Sequence, residues 1–447
     1  MDLLMTAEEI IIYSASFAFS AILVVIYLAR EKKKSARVKR KVDQAKEEGR
    51  FEPVSLHPYV DLNSCIGSGA CIKACPEKDI LGLVNGKATV INATSCVGHG
   101  ACLIACPVEA ISLRIGTEKR GVDLPHVKPD YETNVPGIYI AGELGGMGLI
   151  KNSAEQGIQA VENIARKKHK DIGNEYDVLI VGAGPAGIAA GLTAKKHNLK
   201  AIILEQDSLG GTVYSFPREK IVMTRPMELP LYGKVKLFDT SKDELLNIWK
   251  DVITKHEINI VENCKVEAIE NLGHGFEVKS ATGKNYRANT VVLAIGRRGT
   301  PRKLGVPGEN LPKVYYRLLD PEHINNKDIL VVGGGDSAIE SAMLLMDNNR
   351  VTLSYRSEKF ARIKPKNLER ITQAISDKKL AVIYNSNVME IAMDNVKLST
   401  VENPAGEVLA NDLVYVFAGG ELPTQFLKNA GIEVEKQFGK IVRKGGS

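Results

Sequence analysis

Six cysteines in two short runs are the residues of this sequence with the clearest chemistry. The chain of 447 residues has seven cysteines, and all except Cys264 lie between positions 65 and 106. Each run has the spacing C-x5-C-x3-C-P, with two glycines between its first two cysteines. Thiolates at such a spacing bind iron–sulfur clusters or zinc, or form disulfides. Disulfides are rare in cytoplasmic domains, and zinc sites rarely place glycine and proline in this pattern.

The two runs resemble the cysteine run of bacterial two-cluster ferredoxins, C-x2-C-x2-C-x3-C-P. The second cysteine of that run is replaced here by Ser68 in one copy and by His99 in the other. In that family the last cysteine of each run serves the other cluster. The resemblance therefore implies two ligand sets: Cys65, Cys71 and Cys106 for one cluster, and Cys96, Cys102 and Cys75 for the other. Three thiolates leave the cluster type open between [3Fe-4S] and [4Fe-4S], the latter completed by serine, histidine or water.

A glycine-rich loop between an apolar strand and a helix follows further along the chain. The strand is Tyr176–Val181, and the next apolar strand ends at Glu205, where an acid can bond a ribose hydroxyl. Glycines permit the tight turn and let a pyrophosphate reach the helix amino terminus. The predicted nucleotide ligands here are Gly182, Gly184, Pro185, Ala186, Gly187 and Glu205, with Gly211 and Thr212 in the next glycine pair.

A second loop of the same type follows the apolar run 328–332. Its predicted nucleotide ligands are Gly333, Gly335, Asp336, Ser337 and Ala338. The strand after it, Val351–Tyr355, ends at Arg356 with no acid in place. An arginine there suits a 2′-phosphate and favours NADP over NAD, with Arg362 and Lys364 nearby to assist. The alternative is that these basic side chains are merely solvated.

Two such loops about 150 residues apart resemble the flavoproteins with two dinucleotide-binding domains, of which thioredoxin reductase is a familiar member. Residues 291–301 look like the hinge of that family, and residues 415–427 like its return into the flavin domain. The resemblance covers roughly residues 118–444 and implies FAD at the first loop and NADP or NAD at the second. The redox disulfide of the family is absent, because this region has only Cys264, which we interpret as a buried, inert thiol.

The flavin domain looks circularly permuted. Such flavoproteins normally finish with T-x-V-P-G-I-Y-A-A-G-D, and the similar segment here, residues 133–143, precedes the first loop. The resemblance implies that Gly142 and Glu143 hold the flavin, and that a helix at about 153–167, with Gln156 near its start, points at the ring. We therefore expect Glu143 to lie beside the first loop. The alternative is a chance match within a linker.

The amino terminus has the pattern of a membrane anchor. Ile10–Leu28 carries no charge and is long enough to span the hydrocarbon core. Acidic residues precede it and a basic run follows it, which predicts a single pass with the remaining domains on the cytoplasmic side of the inner membrane. A cleaved signal peptide fits poorly, because the basic cluster is on the wrong side. The basic run suits anionic headgroups.

Charge and motifs exclude several other functions. The net charge of +6 comes from residues 30–41, which carry eight basic side chains and one acidic one. The remaining residues together have a net charge of −1. Without interleaved aromatic residues, the basic run does not indicate a nucleic-acid partner. No Ser–His–Asp ordering or HExxH motif supports hydrolytic chemistry.

These patterns predict an α/β protein with an N-terminal transmembrane helix, a small α+β ferredoxin-like domain and two Rossmann-like domains. The predicted domains are an anchor at 1–29, a basic linker at 30–57, an iron–sulfur domain at 58–117, an FAD domain at 118–302 completed by 417–447, and an NAD(P) domain at 303–416.

The predicted function is electron transfer between NAD(P)H, FAD, two clusters and a partner, in either direction. The partner is expected to be a ferredoxin, a cytochrome or a quinone-linked subunit, and a homodimer is compatible with the resemblance. One alternative is a flavin-dependent reductase of a small substrate, with residues 209–240 lining its site. The other is a non-catalytic redox sensor with labile clusters.

Overall fold

The computed structural model describes most of the chain: residues 7–47, 51–53, 56–77, 79–96, 98, 100–146, 148–167, 173–214, 221–223, 226–237, 239–297, 300–360, 363–421 and 423–444. The predicted site residues His99 and Arg362 lie outside this part. The chain forms two compact units, Met1–Arg120 with Gly439–Ser447, and Gly121–Phe438.

The first unit starts with one long helix, α1 (Ala7–Glu47), which contains the apolar segment and the basic run without a break. Where its side chains are described, from Ile11, the apolar half is exposed, and its length and hydropathy are those of a membrane span or a signal sequence. The basic half packs on its own unit, because Val42 and Ala45 are buried and Lys41 pairs with Asp79 at 2.6 Å. The predicted linker at 30–57 is therefore helical as far as residue 47.

The cysteine runs of the first unit sit among short strands and helices. In chain order these are β1 (Leu56–Val60), α2 (Ala70–Ala74), β2 (Leu81–Val84), β3 (Lys87–Val90), a 3₁₀ turn (Ala93–Ser95), α3 (Ala101–Ile104) and β4 (Ile111–Ile115). Strands β1 and β4 pair antiparallel, as do β2 and β3. Each helix begins between the first two cysteines of its run, so the two runs fold alike.

The second unit opens with the flavin-type sheet. Its elements are β5 (Val122–Pro125), β6 (Ile138–Ile140), a 3₁₀ turn (Glu143–Gly145), α4 (Ile150–Arg166), β7 (Tyr176–Val181), α5 (Pro185–Lys196), β8 (Ala201–Leu204), β9 (Ile221–Met223), β10 (Met227–Leu229), β11 (Gly233–Val235), β12 (Asp239–Ser241), α6 (Lys242–Lys255), β13 (Ile260–Val261), β14 (Val266–Asn271), β15 (Phe276–Ser280) and β16 (Asn285–Leu293). The strand order is β13-β8-β7-β16-β15-β14, and β6 also pairs in parallel with the end of β16. The segment around β6 thus belongs to this sheet.

A second parallel sheet follows within the same unit. Its region contains β17 (Thr300–Pro301), β18 (Val314–Tyr315), a 3₁₀ turn (Pro321–His323), β19 (Asp328–Val332), α7 (Asp336–Leu345), β20 (Arg350–Ser354), α8 (Pro365–Ser376), β21 (Ala381–Ile383), β22 (Ser386–Ile391), β23 (Asn395–Thr400), β24 (Glu407–Ala410), β25 (Leu413–Val416), β26 (Gly420–Glu421), α9 (Thr424–Asn429) and β27 (Val434–Gln437). The parallel strands run β18-β25-β19-β20-β21, while β22, β23 and β24 form an antiparallel sheet. The predicted hinge and return segments meet where β17 pairs with β26. The predicted fold class is confirmed.

The end of the chain differs from the prediction that residues 417–447 complete the flavin domain. Strand β27 does pair with β5 of the second unit. The last strand, β28 (Lys440–Lys444), instead pairs antiparallel with β4 of the first unit. It covers the free edge of a β4 strand whose alternate side chains are buried. Short polar segments carry no register information that would have predicted this pairing.

Candidate functional site

Left-handed glycines shape both cysteine runs. Gly69 and Gly100, at the start of α2 and α3, have φ of 70° and 73°. Gly67 has φ 72°, and a Cβ at this position would lie 1.9 Å from the carbonyl oxygen of Gly86. Because only glycine meets both conditions, the loop packs its backbone directly against the turn between β2 and β3.

Thiols of the two cysteine runs lie close enough to influence one another electrostatically. Burial raises the pKa of the Cys71 thiol, and the neighbouring Cys106 and Cys65 raise it further. Burial also raises the pKa of Cys102 to about 12, and the neighbouring Cys96, Cys75 and Cys71 add smaller contributions in the same direction. Such thiols are neutral at pH 7 unless a cation stabilises the thiolate, and bound iron does so. The ligand assignment itself stays a prediction.

Backbone N–H groups point at the sulfur atoms. Ala88 donates to the Sγ of Cys65 at 3.4 Å, Gly98 to Cys96 at 3.4 Å, and Ala110 to Cys106 at 3.3 Å. Hydrogen bonds of this kind stabilise thiolate sulfur and tune the reduction potential of a bound cluster.

Cys65, Cys71 and Cys106 line a cavity that is partly open to solvent, and Ser68 lies on its wall. Among the described residues, no three Cys, His, Asp or Glu side chains are grouped closely enough to hold a single ion. All six cysteines are free thiols, and the choice between a cluster and zinc rests on the glycine and proline pattern of the two runs.

The first glycine-rich loop joins β7 to α5. Gly182 has φ 103°, and a Cβ on Gly187 would lie 1.8 Å from the carbonyl oxygen of Gly182, so neither position accepts a side chain. Gly184, in contrast, faces open space. Pro185 and Ala186 form the first turn of α5, whose amino terminus points into that space. The loop thus leaves room for a pyrophosphate at a helix amino terminus.

Glu205 follows β8, as predicted, and it has a structural contact that the sequence did not indicate. Its carboxylate is buried and accepts hydrogen bonds from the N–H groups of Ala183 at 2.6 Å and Asp207 at 3.0 Å. Burial raises the pKa of this carboxyl despite those bonds. Each oxygen keeps a second lone pair, so the side chain can hold the loop and still bond a ribose hydroxyl.

The segment before the first loop lies against that loop. Gly142 donates its N–H to Gln156 Oε1 at 2.8 Å, and a Cβ on Gly142 would lie 3.2 Å from the Cβ of Ala186. The adjacent Glu143 is therefore close to the loop, as the permutation hypothesis requires. Helix α4 begins at Ile150, three residues before the predicted start, so Gln156 lies in its second turn.

Arg297 is a candidate that sequence analysis missed. It lies in the predicted hinge, and burial lowers the pKa of its guanidinium, while Glu143 and Asp123 oppose that effect. This half-buried arginine is electrostatically coupled to the acid expected to hold the flavin, which makes it a candidate for contact with the same group. The paired arginines of the hinge sequence were the pattern that could have indicated it.

The second glycine pair, Gly210 and Gly211, lies against the loop between β7 and α5. Gly211 has φ 54°, and its Cβ position is 3.3 Å from the Cα of Gly184. Gly210 donates its N–H to the carbonyl of Ala183 at 3.0 Å. The 209–214 turn, with Thr212, thus lies beside the first loop.

The second glycine-rich loop joins β19 to α7. Gly333 has φ 142°, Gly335 faces open space, and Ser337 is exposed while Ala338 is buried. The predicted ligand Asp336 also accepts hydrogen bonds at Oδ1 from the Lys364 N–H at 2.8 Å and from Asn367 at 2.7 Å. These bonds tie α7 to the start of α8, so Asp336 has a structural role as well, and its nucleotide contact stays a prediction. A single sequence does not show such a long-range contact.

Arg356 lies where the sequence predicts it, two residues after β20, and it is exposed. Lys364 is also exposed, at the start of α8. Exposed cations beside a strand end are free to meet a phosphate.

Cys264 is not positioned for redox chemistry. It is 1% exposed, in the core beneath the flavin-type sheet, and its Sγ lies 3.9 Å from the hydroxyl of Tyr286. Because it is the one cysteine in the sequence after residue 106, the second unit cannot form an internal disulfide.

The chain is similar to known families along most of its length. Residues 179–443 match the pyridine nucleotide-disulphide oxidoreductase family, and residues 57–107 match a 4Fe-4S dicluster domain. Curated relatives include a ferredoxin–NADP reductase of Ignicoccus hospitalis, 29% identical over 58% of this chain and 82% of the relative. A thioredoxin reductase of Listeria monocytogenes is 30% identical over 59% of this chain and 79% of the relative.

Solved structures show the same fold. The bacillithiol disulfide reductase Bdr from Staphylococcus aureus has a TM-score of 0.51 at 23% identity, covering 59% of this chain and 85% of that one. The Bdr structure from Bacillus cereus has a TM-score of 0.52 at 22% identity, covering 60% and 85%.

Proposed function

Because this chain belongs to the pyridine nucleotide-disulphide oxidoreductase family and carries a 4Fe-4S dicluster domain, we propose that it passes electrons between NAD(P)H, FAD, two iron–sulfur clusters and a redox partner. The observation that carries this proposal is that the second unit has two dinucleotide loops and no cysteine pair, whereas the first contains six cysteines in two similar runs. Electrons from NAD(P)H therefore need an outlet other than a disulfide. FAD supplies the chemistry that converts a two-electron donor into a one-electron source.

The residues of this chain bind and orient the cofactors. Gly184 and Gly335 each leave open space at a helix amino terminus, where a pyrophosphate accepts backbone hydrogen bonds. Glu205 holds the first loop by accepting a hydrogen bond from Ala183. Asp336 joins the start of α7 to the start of α8 by accepting one from Lys364. Such a protein needs no acid–base triad, because its part is positioning and electrostatic tuning.

One of the relatives supports this exchange, whereas the absence of a cysteine pair from the second unit is what argues against disulfide reduction. One relative is named for transfer between ferredoxin and NADP, and the present chain has a ferredoxin-like domain of its own. We infer that this domain takes the place of a separate ferredoxin in the first transfer. Its own partner is then a ferredoxin, a cytochrome or a quinone-linked subunit, and the reverse direction of flow is equally compatible with the chain.

Steady-state turnover separates this proposal from a redox sensor. We expect the purified protein to oxidise NAD(P)H continuously with an artificial one-electron acceptor, and to contain both iron and acid-labile sulfide. A non-catalytic sensor would give no turnover. A small-substrate reductase would also reduce an artificial acceptor at its flavin, so it is distinguished by turnover that does not depend on the clusters, measured in Cys71→Ser.

Arg356 is expected to set the preference for NADPH. We predict that Arg356→Ala lowers kcat/KM for NADPH by about 10- to 100-fold, because a charge-assisted hydrogen bond contributes roughly 1.5–3 kcal/mol. The value for NADH should stay within about twofold. Lys303→Ala is a control with the same charge loss far from β20 in the sequence. An equal loss with both nucleotides would contradict this role.

We also propose that α1 anchors the protein in the inner membrane, with both units on the cytoplasmic side. The apolar half of the helix is exposed where described, and the basic run follows it directly. The basic half is fixed to its unit through Val42, Ala45 and the Lys41–Asp79 ion pair. The helix would therefore hold the iron–sulfur domain close to the headgroups rather than tether it loosely.

Deleting residues 1–29 tests the anchor. We expect the shortened protein to move from the membrane fraction to the soluble fraction, and NAD(P)H oxidation with an artificial acceptor to change by less than about twofold, because the docked half of α1 remains. Full-length protein that washes off membranes in high salt would contradict a spanning helix, since salt releases only electrostatic contacts.

The molecular mass of the shortened protein in solution tests a separate prediction, that of a homodimer.

A further inference from the structure

We propose that the cluster on Cys65, Cys71 and Cys106 is the one nearer the membrane, and that it exchanges electrons with a redox protein embedded in the same membrane. This inference rests on the proposed anchor and on the proposed iron–sulfur function of the first unit. It gives an order to two clusters that the sequence leaves equivalent. The contacts that carry it join α1, the hairpin of β2 and β3, and the two cysteine runs, all within the first unit.

Helix α1 fixes the height of this hairpin above the membrane. Ser35 lies seven residues after Leu28, where the apolar segment ends, and its Oγ accepts a hydrogen bond from the N–H of Asn85 at 2.9 Å. Lys41, thirteen residues after Leu28, pairs with Asp79 at 2.6 Å. At 1.5 Å per residue, these contacts lie about 10 Å and about 20 Å beyond the apolar segment. The turn of the hairpin is therefore its membrane end, and the residues before β2 lie farther away.

The first cysteine run packs on the membrane end of the hairpin. Lys87, at the start of β3, donates from Nζ to the carbonyl oxygen of Cys65, and Ala88 donates its N–H to the Cys65 Sγ at 3.4 Å. The backbone of Gly67 lies against Gly86 in the turn, because a Cβ on Gly67 would be 1.9 Å from the Gly86 carbonyl oxygen. The first cysteine of this set is thus fixed beside the turn.

The other set of cysteines adjoins the opposite end of the hairpin. Ile91, directly after β3, donates its N–H to the carbonyl of Ile80, directly before β2, at 2.8 Å. Cys96 comes five residues after Ile91, and Cys75 comes five residues before Ile80. Four strand residues separate the two ends of the hairpin by about 13 Å. We therefore expect the cluster on Cys75, Cys96 and Cys102 to lie on the side away from the membrane.

Strands β1 and β4 separate the two runs in the same way. The cavity of the Cys65 set is also lined by Val60 and Ile111, which pair at one end of the two strands. Leu56 and Ile115 pair at the other end. There a Cβ on Gly98, in the second cysteine run, would lie 3.0 Å from the Cβ of Leu56. The two runs therefore contact opposite ends of this sheet.

Exposed apolar side chains surround the cavity of the Cys65 set. Ile66 and Val108 line it and are 65% and 37% exposed, and Leu62, in the loop before Cys65, is 55% exposed. Such a surface suits a protein partner, because the centre of a protein interface is poor in charged residues. A partner in the same membrane meets this surface at the height that α1 sets. Its cofactor gains one electron in each transfer, so one NAD(P)H, which loses two electrons, supports two transfers.

Nickel held at the membrane surface tests which cluster is nearer. The protein is placed in vesicles of phosphatidylethanolamine and phosphatidylglycerol with a Ni²⁺-chelating lipid, and electron paramagnetic resonance measures spin relaxation after reduction with dithionite. Cys102→Ser retains the Cys65 set intact, and Cys71→Ser retains the other set. We expect nickel to accelerate relaxation at least about twofold more in Cys102→Ser, because its remaining cluster lies about 13 Å closer to the surface. Equal effects, or a larger effect in Cys71→Ser, would overturn the order of the clusters.

A pair of nitroxide labels makes the same measurement if either variant binds no cluster. Leu62→Cys and Lys119→Cys place the label at exposed positions beyond opposite ends of the β1–β4 pair. In oxidised protein, nickel should relax the label at residue 62 more than the label at residue 119. The reverse order, or no difference, would contradict the proposed orientation of the first unit.

Ile66→Glu tests the partner surface. With native membrane vesicles from cells that lack this protein as the acceptor, we expect NAD(P)H oxidation to fall at least about tenfold while the iron content is kept. Val401→Glu makes a similar change at a position of the second unit that is 77% exposed, and its rate should stay within about twofold of the parent protein.

The outcomes distinguish this inference from the function on which it rests. An unchanged rate in Ile66→Glu, or a soluble protein fraction that replaces the membranes as acceptor, would overturn the membrane partner and leave the electron path standing. A parent protein without iron and sulfide would overturn the proposed function itself.

Discussion

Replacing Cys71 by serine is expected to remove one cluster and stop electron transfer beyond the flavin. Cys71 is buried between Cys65 and Cys106, so its loss leaves two thiolates in that set. Changing an outer-shell partner of a metal ligand typically costs 10- to 100-fold, and loss of a ligand should cost at least that. We expect the iron content to fall by about half and reduction of a cluster-dependent acceptor such as cytochrome c to fall at least tenfold.

Two controls separate a lost cluster from a damaged protein. Cys264→Ser makes the same chemical change in the core of the second unit and should leave the iron content and both rates within about twofold. In Cys71→Ser itself, bound FAD and NAD(P)H oxidation by an acceptor that reacts at the flavin should be retained. If the variant reduced every acceptor at the rate of the parent protein, the cluster relay would be discarded.

Alanine at two equivalent glycines should separate the two nucleotide sites. Gly184 and Gly335 have φ of −79° and −98°, which alanine adopts, and an added Cβ at either position meets nothing within 4 Å. The substitutions therefore disturb only what binds in that space. We expect Gly184→Ala to weaken FAD binding at least tenfold, a loss of about 1.4 kcal/mol or more. Gly335→Ala should keep FAD and raise KM for NAD(P)H by a similar factor.

The melting temperature without added nucleotide provides the control for this pair. Both variants should melt within a few degrees of the parent apoprotein. Gly187→Ala should instead lower the melting temperature markedly, because the added Cβ would overlap the carbonyl oxygen of Gly182. Loss of FAD from Gly335→Ala, or loss of NAD(P)H affinity alone from Gly184→Ala, would reverse the assignment of the two loops.

The local motifs could be predicted because each depends on residues that are close in sequence. Both glycine loops lie between a strand and a helix, and the cysteine runs fold as equivalent turns. Residues 133–143 resemble the carboxyl-terminal segment of other flavoproteins, which predicted that Glu143 lies beside the first loop, and the contact of Gly142 with Ala186 agrees with this. That the order arose by circular permutation stays an interpretation of the resemblance.

The differences arise where distant segments meet. Asp336 has the sequence position of a nucleotide ligand, yet it bonds the start of α8, 28 residues further on. Strand β28 pairs with β4, although more than 300 residues separate them. The role of Arg297 depends on burial beside Glu143. Composition and periodicity predict the secondary structure and burial of one segment at a time. Each of these three contacts joins residues of different segments, so neither signal could predict it.

The most direct test of the proposed electron path is anaerobic reduction of the full-length protein by NADPH, followed by flavin absorbance and electron paramagnetic resonance on the same samples. We predict bleaching of the flavin band together with the appearance of reduced-cluster resonances, and loss of the resonance of one cluster in Cys71→Ser. Bleaching of the flavin by NADPH or NADH without any change in the cluster resonances would contradict the transfer from flavin to cluster.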